Sequence, residues 1–421
     1  MSTSQREPIS HVTTRPDQPH RLPTISAAEQ SLPVFDERGR AGRVRRMVWQ
    51  VLVAWALVWA SLQALGGMYS WHYFVTGGTL LTHPAWASGG LHVFAAHPEL
   101  QMGPVALLGA GVIVLVGGSW STVLGALVMM ALGLVNLRIL ERTGAQLQRR
   151  PISPRITLVA GMVLVPIWSV LAVHFGHLDD VLAMTFATAA IAAVVRCRMW
   201  LAPVLLAMAV DAKPWAAAFG VILLLSHTDR ARRVGLFVAL TVAIWLPFLL
   251  ADPRTLRLSS FTIINAPDSA LRAIGIHSAT TPSWDRPAQL ALGAALAWWC
   301  LRSGKWAAVP LAVLATRMLL DPGTYPYYTA GLLLAALFVD LIHRRRALPW
   351  WSIAVAGWFV VSTTLVGLHH LQAAGDVRAA FLLAVICRLC IGRSPRQTTP
   401  GAPEGAGQQS HAGAVPVYSP L

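Results

Sequence analysis

Long apolar stretches alternate with short polar and basic ones along most of the chain. The blocks 47–68, 120–137, 156–173, 233–251 and 327–342 are almost free of charge. Each is long enough, or nearly so, to cross a hydrocarbon core of about 30 Å as a helix. A helix satisfies its own backbone hydrogen bonds, so lipid favours it, and runs of this length exclude the alternating pattern of a β-barrel. The pattern predicts an all-α polytopic membrane protein with about 10–12 transmembrane helices.

Two places break the periodicity. Segment 104–137 is too long for one span and short for two, and Gly117-Gly-Ser-Trp120 marks a break within it. If 104–118 crossed alone, the basic segment 138–155 would fall on the wrong side. The sequence therefore predicts an interfacial helix over 104–118 and a true span over 120–138. The pair 201–212 and 214–227, split at Lys213-Pro214, reads as a short hairpin or re-entrant pair.

The distribution of arginine gives an orientation. Arg38, Arg40, Arg43, Arg45 and Arg46 precede the first span, whereas 69–103 has no Lys or Arg. By the positive-inside rule the N-terminus is cytoplasmic. Alternation then places basic segments 138–155, 196–198, 230–233, 302–305, 344–346 and 388–396 inside, and 174–180, 252–288, 321–326 and 367–376 outside. Both termini are expected in the cytoplasm of a plasma-membrane protein whose active face is extracytoplasmic. Residues 1–45 and 393–421 read as disordered polar tails flanking a transmembrane domain at 46–392. No short cleavable signal precedes the first span, which reads as an uncleaved anchor.

Composition sharpens this picture. Only 12% of the 421 residues are charged, half the share of a soluble enzyme, and 55% are hydrophobic. The formal net charge of +15 is spread along one membrane face, which excludes a nucleic-acid groove. Cys197, Cys300, Cys387 and Cys390 map near cytoplasmic span ends, and the CxxC spacing of the last pair, lacking a second pair or nearby His, reads as packing.

With charge so scarce, the outward ionisable groups form a short list. Loop 69–103 carries His72, His83, His92 and His97 around a single acid, Glu99, two residues before Gln101. A carboxylate beside apolar groups at a membrane boundary suits a general base. His-Pro-Glu is equally a good first turn of the interfacial helix. His174-Phe-Gly-His177-Leu-Asp179-Asp180 could bind a divalent cation or cap the following helix. Asp211-Ala-Lys213 lies between apolar helices, where ionisable groups pair or line a cavity. Lys213 could serve as a cation for a lipid phosphate, or close a local turn with Asp211. Loop 252–288 holds Arg254, Arg257, Arg272 and Arg286, against the topological bias. Arg317 and Asp321 are spaced for an i,i+4 ion pair, and Tyr325, Tyr327 and Tyr328 follow as an aromatic cluster.

The order of parts resembles the polyprenol-dependent C-type glycosyltransferases. The shared order is a basic N-terminus, one span, a long outer loop, an interfacial helix opened by His-Pro, and a span ending in LRILERTG. The segments HPELQMGP, GHLDD, AVDAKPWA, LPFLLADP and LLDPGTYPYY look like glycosyltransferase family 87, the actinobacterial α-mannosyltransferase group. The resemblance covers roughly 47–392 and implies a C-type bundle with a long first outer loop and an interfacial helix. It also implies inverting transfer of a hexose, mannose in that group, from a polyprenyl-phosphate donor to a lipid or glycan acceptor. Neither a cofactor nor a resident metal is implied; membrane lipids are the other expected partners.

On that resemblance Glu99, Asp179 and Asp180 are the candidate catalytic acids. His72, His92, His97, Gln101, His174, His177, Lys213, Arg317, Asp321 and Tyr327 are candidate substrate-binding residues. The sequence departs from the family at one point. The family's acid comes early in the first loop, where this chain reads Ser70-Trp-His72-Tyr-Phe74. Either Glu99 or Asp179/Asp180 supplies it, or transferase activity has been lost. A lipid-linked-sugar transporter or flippase, and an inactive envelope-assembly protein, are the alternatives. The broken pair at 201–227 has no counterpart in the second half, as a repeat-built transporter would show.

Overall fold

The structure is a computed structural model that describes residues 34–83, 87–225, 229–342 and 348–391. Most of both polar tails and the basic segment 344–346 lie outside the described residues. The chain divides into two compact units, 1–46 and 47–421. The described part of the first is the opening of helix α1, Val34–Ala64.

The described part of the second unit is mainly helical, and its only β pairing among the described residues is an isolated bridge between Ile264 and Thr280. After α1 come α2 (Trp71–Thr82), α3 (Val93–Ala96), α4 (Pro104–Gly117), α5 (Ser121–Leu147) and α6 (Pro154–Ser169). They are followed by α7 (Leu178–Val195), α8 (Leu201–Ala212), α9 (Arg230–Ala251), α10 (Ala270–Ala273) and α11 (Asp285–Arg302). The last are α12 (Val309–Leu320), α13 (Tyr328–Ile342), α14 (Trp350–Gly367) and α15 (Leu371–Ile391). Six described helical segments are long and apolar enough to cross a membrane: Gly42–Ala64, Pro104–Leu147, Pro154–Phe175, Leu178–Val195, Arg230–Ala251 and Trp350–Gly367. Four shorter apolar helices accompany them, Leu201–Ala212, Pro214–Leu224, Trp306–Leu320 and Tyr328–Ile342. This is a helical polytopic membrane protein. Its outward faces are apolar, as lipid requires: on α9 only Arg233 and Phe248 are buried, while Val238, Val242, Leu246 and Leu250 are exposed.

Both breaks expected from the sequence are present. Gly118–Trp120 forms one 3-10 turn, entered through Gly118 at φ +49°, a conformation glycine adopts at no steric cost. The start of α4 is bonded to the end of α8 through Gly103 N–H and Ala212 O (2.9 Å). Midway along α4, Gly109 faces Leu178 and Leu182 at the start of α7. Helix α4 thus meets both the end of α8 and the start of α7. At the second break Lys213 is extended (φ −149°, ψ 114°), and the chain resumes as a 3-10 helix, Pro214–Leu224, packed against α8. The loop read at 69–103 is itself partly helical, since it contains α2 and α3.

Close helix contact relies on small residues, as is usual where helices meet in lipid. Gly78 of α2 faces Gly111 of α4, where a side chain on Gly78 would fall 2.7 Å from the Gly111 nitrogen. Gly133 of α5 receives the Trp168 ring of α6, whose indole N–H donates to Met129 O at 2.9 Å. Pro166 inside α6 cannot donate to Met162 O; Trp55 Nε1 donates there instead, at 3.4 Å. Among the cysteines only Cys300 is buried. Cys387 and Cys390 are exposed, which corrects the expectation that this CxxC pair packs in the interior.

A buried charge cluster as candidate functional site

The cluster begins with how α6 ends. Its last residues, Val170–Phe175, widen into a π turn, and the chain reverses at Gly176 in the left-handed conformation (φ +65°). A side chain at Gly176 would also meet Met68 Cε at 2.8 Å, a flexible end that can move aside, so it is the left-handed backbone that favours glycine there. His177 then precedes α7, and Asp179 and Asp180 occupy its first turn, where negative charge is favoured by the helix dipole. Both acids are nonetheless almost fully buried, at 1% and 4% exposure.

Their counter-charges come from the break at Lys213 and from helix α12. The extended residue Lys213 places Nζ against Asp179 Oδ2 and 3.7 Å from Asp180 Oδ2. Two residues on, Trp215 Nε1 donates to Asp180 Oδ1 at 3.1 Å. From α12, Arg317 Nη1 lies 3.7 Å from Asp180 Oδ1, and its Nε lies 3.8 Å from Asp321 Oδ2. The Arg317 guanidinium is held between the Trp215 and Tyr328 rings, 4.4 and 4.3 Å from their centroids. Asp321 Oδ1 accepts from Gly323 N–H at 2.8 Å. Burial pushes its carboxyl above the usual range, against the lowering effect of Arg317.

His177 closes the arrangement. Its Nε2 is 3.0 Å from Ser70 Oγ, its ring stacks on Tyr327 at 4.0 Å, and its Nδ1 faces Asp179 Oδ1 (3.4 Å) and Asp180 Oδ2 (3.9 Å). Asp180 Oδ2 and His177 Nδ1 are buried without a hydrogen-bond partner, whereas Asp179 is tied to Lys213 and to Asp180 N–H. His177, Asp179 and Asp180 offer three ligand atoms within 4.8 Å of one another and could hold a cation. The Lys213 ammonium already brings positive charge to both carboxylates. Chemically, the cluster offers paired cations and one carboxylate oxygen, Asp180 Oδ2, that makes no hydrogen bond among the described residues.

The sequence candidates therefore separate into two groups. His177, Asp179, Asp180, Lys213, Arg317, Asp321 and Tyr327 come together from three distant segments. The first-loop candidates sit elsewhere: His72 is exposed and stacks on Tyr73, and His92 is exposed. Glu99 is half-exposed and pairs with His97 Nδ1 at 3.0 Å. His174 packs its ring on Tyr69 and Phe175. Gln101 alone reaches across, accepting from Arg286 Nη2 at 3.4 Å. The Asp211–Lys213 turn is replaced by the Lys213–Asp179 pair, and Asp211 is fully buried.

Sequence reasoning missed Ser70, Trp215, Tyr328 and Asp285. Asp285 is buried at the start of α11, bonded by Gln289 at 2.8 Å through one oxygen only. The arginines of 252–288 serve varied ends. Arg254 grips Asp252 through Nε and Nη2 (3.1 and 2.7 Å), which holds the Asp252 carboxyl down at about 2. Compared with known proteins, the chain matches no family model and no curated relative.

Proposed function

We propose that the protein is a membrane glycosyltransferase that moves a hexose from a polyprenyl-phosphate donor to a lipid or glycan acceptor on the outer face, with inversion. The observation that supports this reading best is the buried cluster itself. The span-length helix α7 brings the acids, and the shorter apolar helices α8 and α12 bring Lys213 and Arg317 to the same place, where an ionisable group is expensive unless it has a task or a partner.

In this reading Asp180, with its unbonded Oδ2, is the general base in place of Glu99, and Asp179 positions Lys213. Asp180 takes the proton of the acceptor hydroxyl. The acceptor oxygen then bonds to the anomeric carbon as the carbon–oxygen bond to phosphate breaks. Lys213 and Arg317 stabilise the charge that develops on the departing phosphate. His177, held by Ser70 and Tyr327, orients the acceptor side. Because the cluster is covered in this structure, its covering segments must part to admit substrate.

The test is transfer of labelled mannose from polyprenyl-phosphate-mannose by membranes containing the protein. Asp180→Asn should lower turnover by about 10²–10⁴-fold, while Glu99→Gln retains most of it. Full activity in Asp180→Asn, or loss in Glu99→Gln alone, would return the base to the first loop.

A further inference from the structure

Segment 252–288 is held unevenly. Its middle is fastened: Arg378 Nη1 donates to Asp268, at the backbone oxygen (2.8 Å) and at the carboxylate, and Thr324 Oγ1 donates to the same carboxylate at 3.0 Å. Its end, where α11 begins, is joined to the first loop more loosely. Gln101 Oε1 accepts from Arg286 Nη2 at 3.4 Å, beyond the usual N–H···O range of about 2.7–3.2 Å.

Polar atoms are left over on both sides of this join. Gln101 Nε2 is buried and donates to no described residue. One position before Arg286, Asp285 is 0% exposed; its Oδ2 accepts from Gln289 Nε2 at 2.8 Å, and its Oδ1 accepts from no described residue. Buried polar atoms are seldom left so, since each then bears a full desolvation penalty. Burial, and then the Asp321 carboxylate, push the Asp285 carboxyl up to about 7. Asp321 belongs to the charge cluster, its Oδ2 3.8 Å from Arg317 Nε, so the join borders that cluster.

The leftover atoms select a ligand class. A metal ion cannot accept from the Gln101 N–H, and a phosphate is repelled by Asp285. Arg286 acts on both Asp285 and Asp321, and Arg317 on Asp321, so no excess charge of either sign calls for an ion. An alcohol hydroxyl accepts from an amide N–H and donates to a carboxylate, and so satisfies both.

We infer that the join between Gln101 and the start of α11 is the recognition site for a hexose, whose hydroxyls accept from Gln101 Nε2 and donate to Asp285 Oδ1. The sugar enters as the Gln101–Arg286 bond opens, while Asp268 keeps the middle of 252–288 in place. The inference rests on the transferase reading and adds to it the residues that choose the sugar.

The test is calorimetric titration of the full chain in phosphatidylcholine nanodiscs, at about pH 8, where Asp285 is mostly ionised. The probes are a short-chain polyprenyl phosphate, the same phosphate carrying mannose or glucose, and methyl mannobioside. Wild type should bind one hexosyl phosphate about tenfold or more tighter than the bare phosphate, which assigns the site to the donor. Saturable binding of methyl mannobioside instead assigns it to a glycan acceptor. Asp285→Asn and Gln101→Leu, both close to isosteric, should each weaken that sugar recognition by about 3–10-fold. Affinity for the bare phosphate should stay as in wild type, which also shows that the variants are folded. Sugar recognition that survives both changes, or a wild type indifferent to every sugar, overturns the proposal. Transfer of labelled sugar by that same wild type would still uphold the transferase reading, so the two fail separately.

Discussion

Replacing Lys213 by Met removes the one ammonium in the cluster while keeping most of the side-chain volume. The Lys213 side chain is 17% exposed, and those of its partners Asp179 and Asp180 are 1% and 6% exposed. Surface ion pairs of this type contribute about 0–1 kcal/mol. Breaking a buried one costs about 3–5 kcal/mol, chiefly because the remaining charge is left uncompensated out of water. Here the orphan would be Asp179, facing only His177 and the Asp180 N–H. At about 2 °C per kcal/mol, the buried case lowers the melting temperature by roughly 6–10 °C, and the surface case by at most about 2 °C. Thermal unfolding of the purified protein in detergent separates these values. The double variant Asp179→Asn/Lys213→Met removes both charges and should recover most of the loss, as replacement of a whole buried pair does. A Lys213→Met protein melting within about 2 °C of wild type would refute the buried pair, and with it the placement of the 213 break beside α7.

Further outcomes follow from the same geometry. Gly103→Ala would set a Cβ 1.9 Å from Asp211 O. It should cost about 3 kcal/mol by melting, whereas Gly235→Ala, with nothing within 4 Å, should not destabilise. Trp215→Phe removes the bond to Asp180 while keeping a ring over Arg317, and should cost about 1.5–3 kcal/mol. Trp215→Leu should cost about 0.5–2 kcal/mol more, as the cation–π contact goes too; equal costs would place Arg317 elsewhere. Ser70→Ala frees His177 Nε2 and should shift the His177 ring resonances in NMR spectra of labelled protein while leaving those of His369 unmoved.

Much of the architecture was legible because lipid imposes a simple code. Uninterrupted apolar runs read as spans, and the Gly-Gly-Ser-Trp and Lys-Pro breaks fall where the backbone departs from α geometry. The scarcity of charge made Asp179, Asp180, Lys213, Arg317 and Asp321 stand out individually. Their convergence was harder to read. It depends on the reversal at Gly176 and on the extended Lys213, which bring residues 34 and more positions apart into contact. Glu99 attracted attention as the lone acid of its loop, but loneliness in sequence says nothing about burial, and it lies half-exposed beside His97. Asp211 and Lys213 looked like a local pair on spacing; the extended backbone at 213 turns the lysine towards α7 instead. Tyr328 read as one of an interfacial aromatic cluster and Trp215 drew no reading of its own, and only the position of Arg317 between their rings gives them a role. Asp268 and Arg378 are 110 residues apart, with no periodic signal to link them.

The account rests most heavily on sugar transfer at the cluster. The most direct measurement is the rate at which purified protein, reconstituted in lipid, moves labelled mannose from polyprenyl-phosphate-mannose into a lipid or glycan product, for wild type against Asp180→Asn. The expected result is transfer by wild type and near-complete loss in the variant, with both proteins melting cooperatively. Absence of transfer by folded wild type across lipid and glycan acceptors, or equal rates in the two proteins, would contradict it.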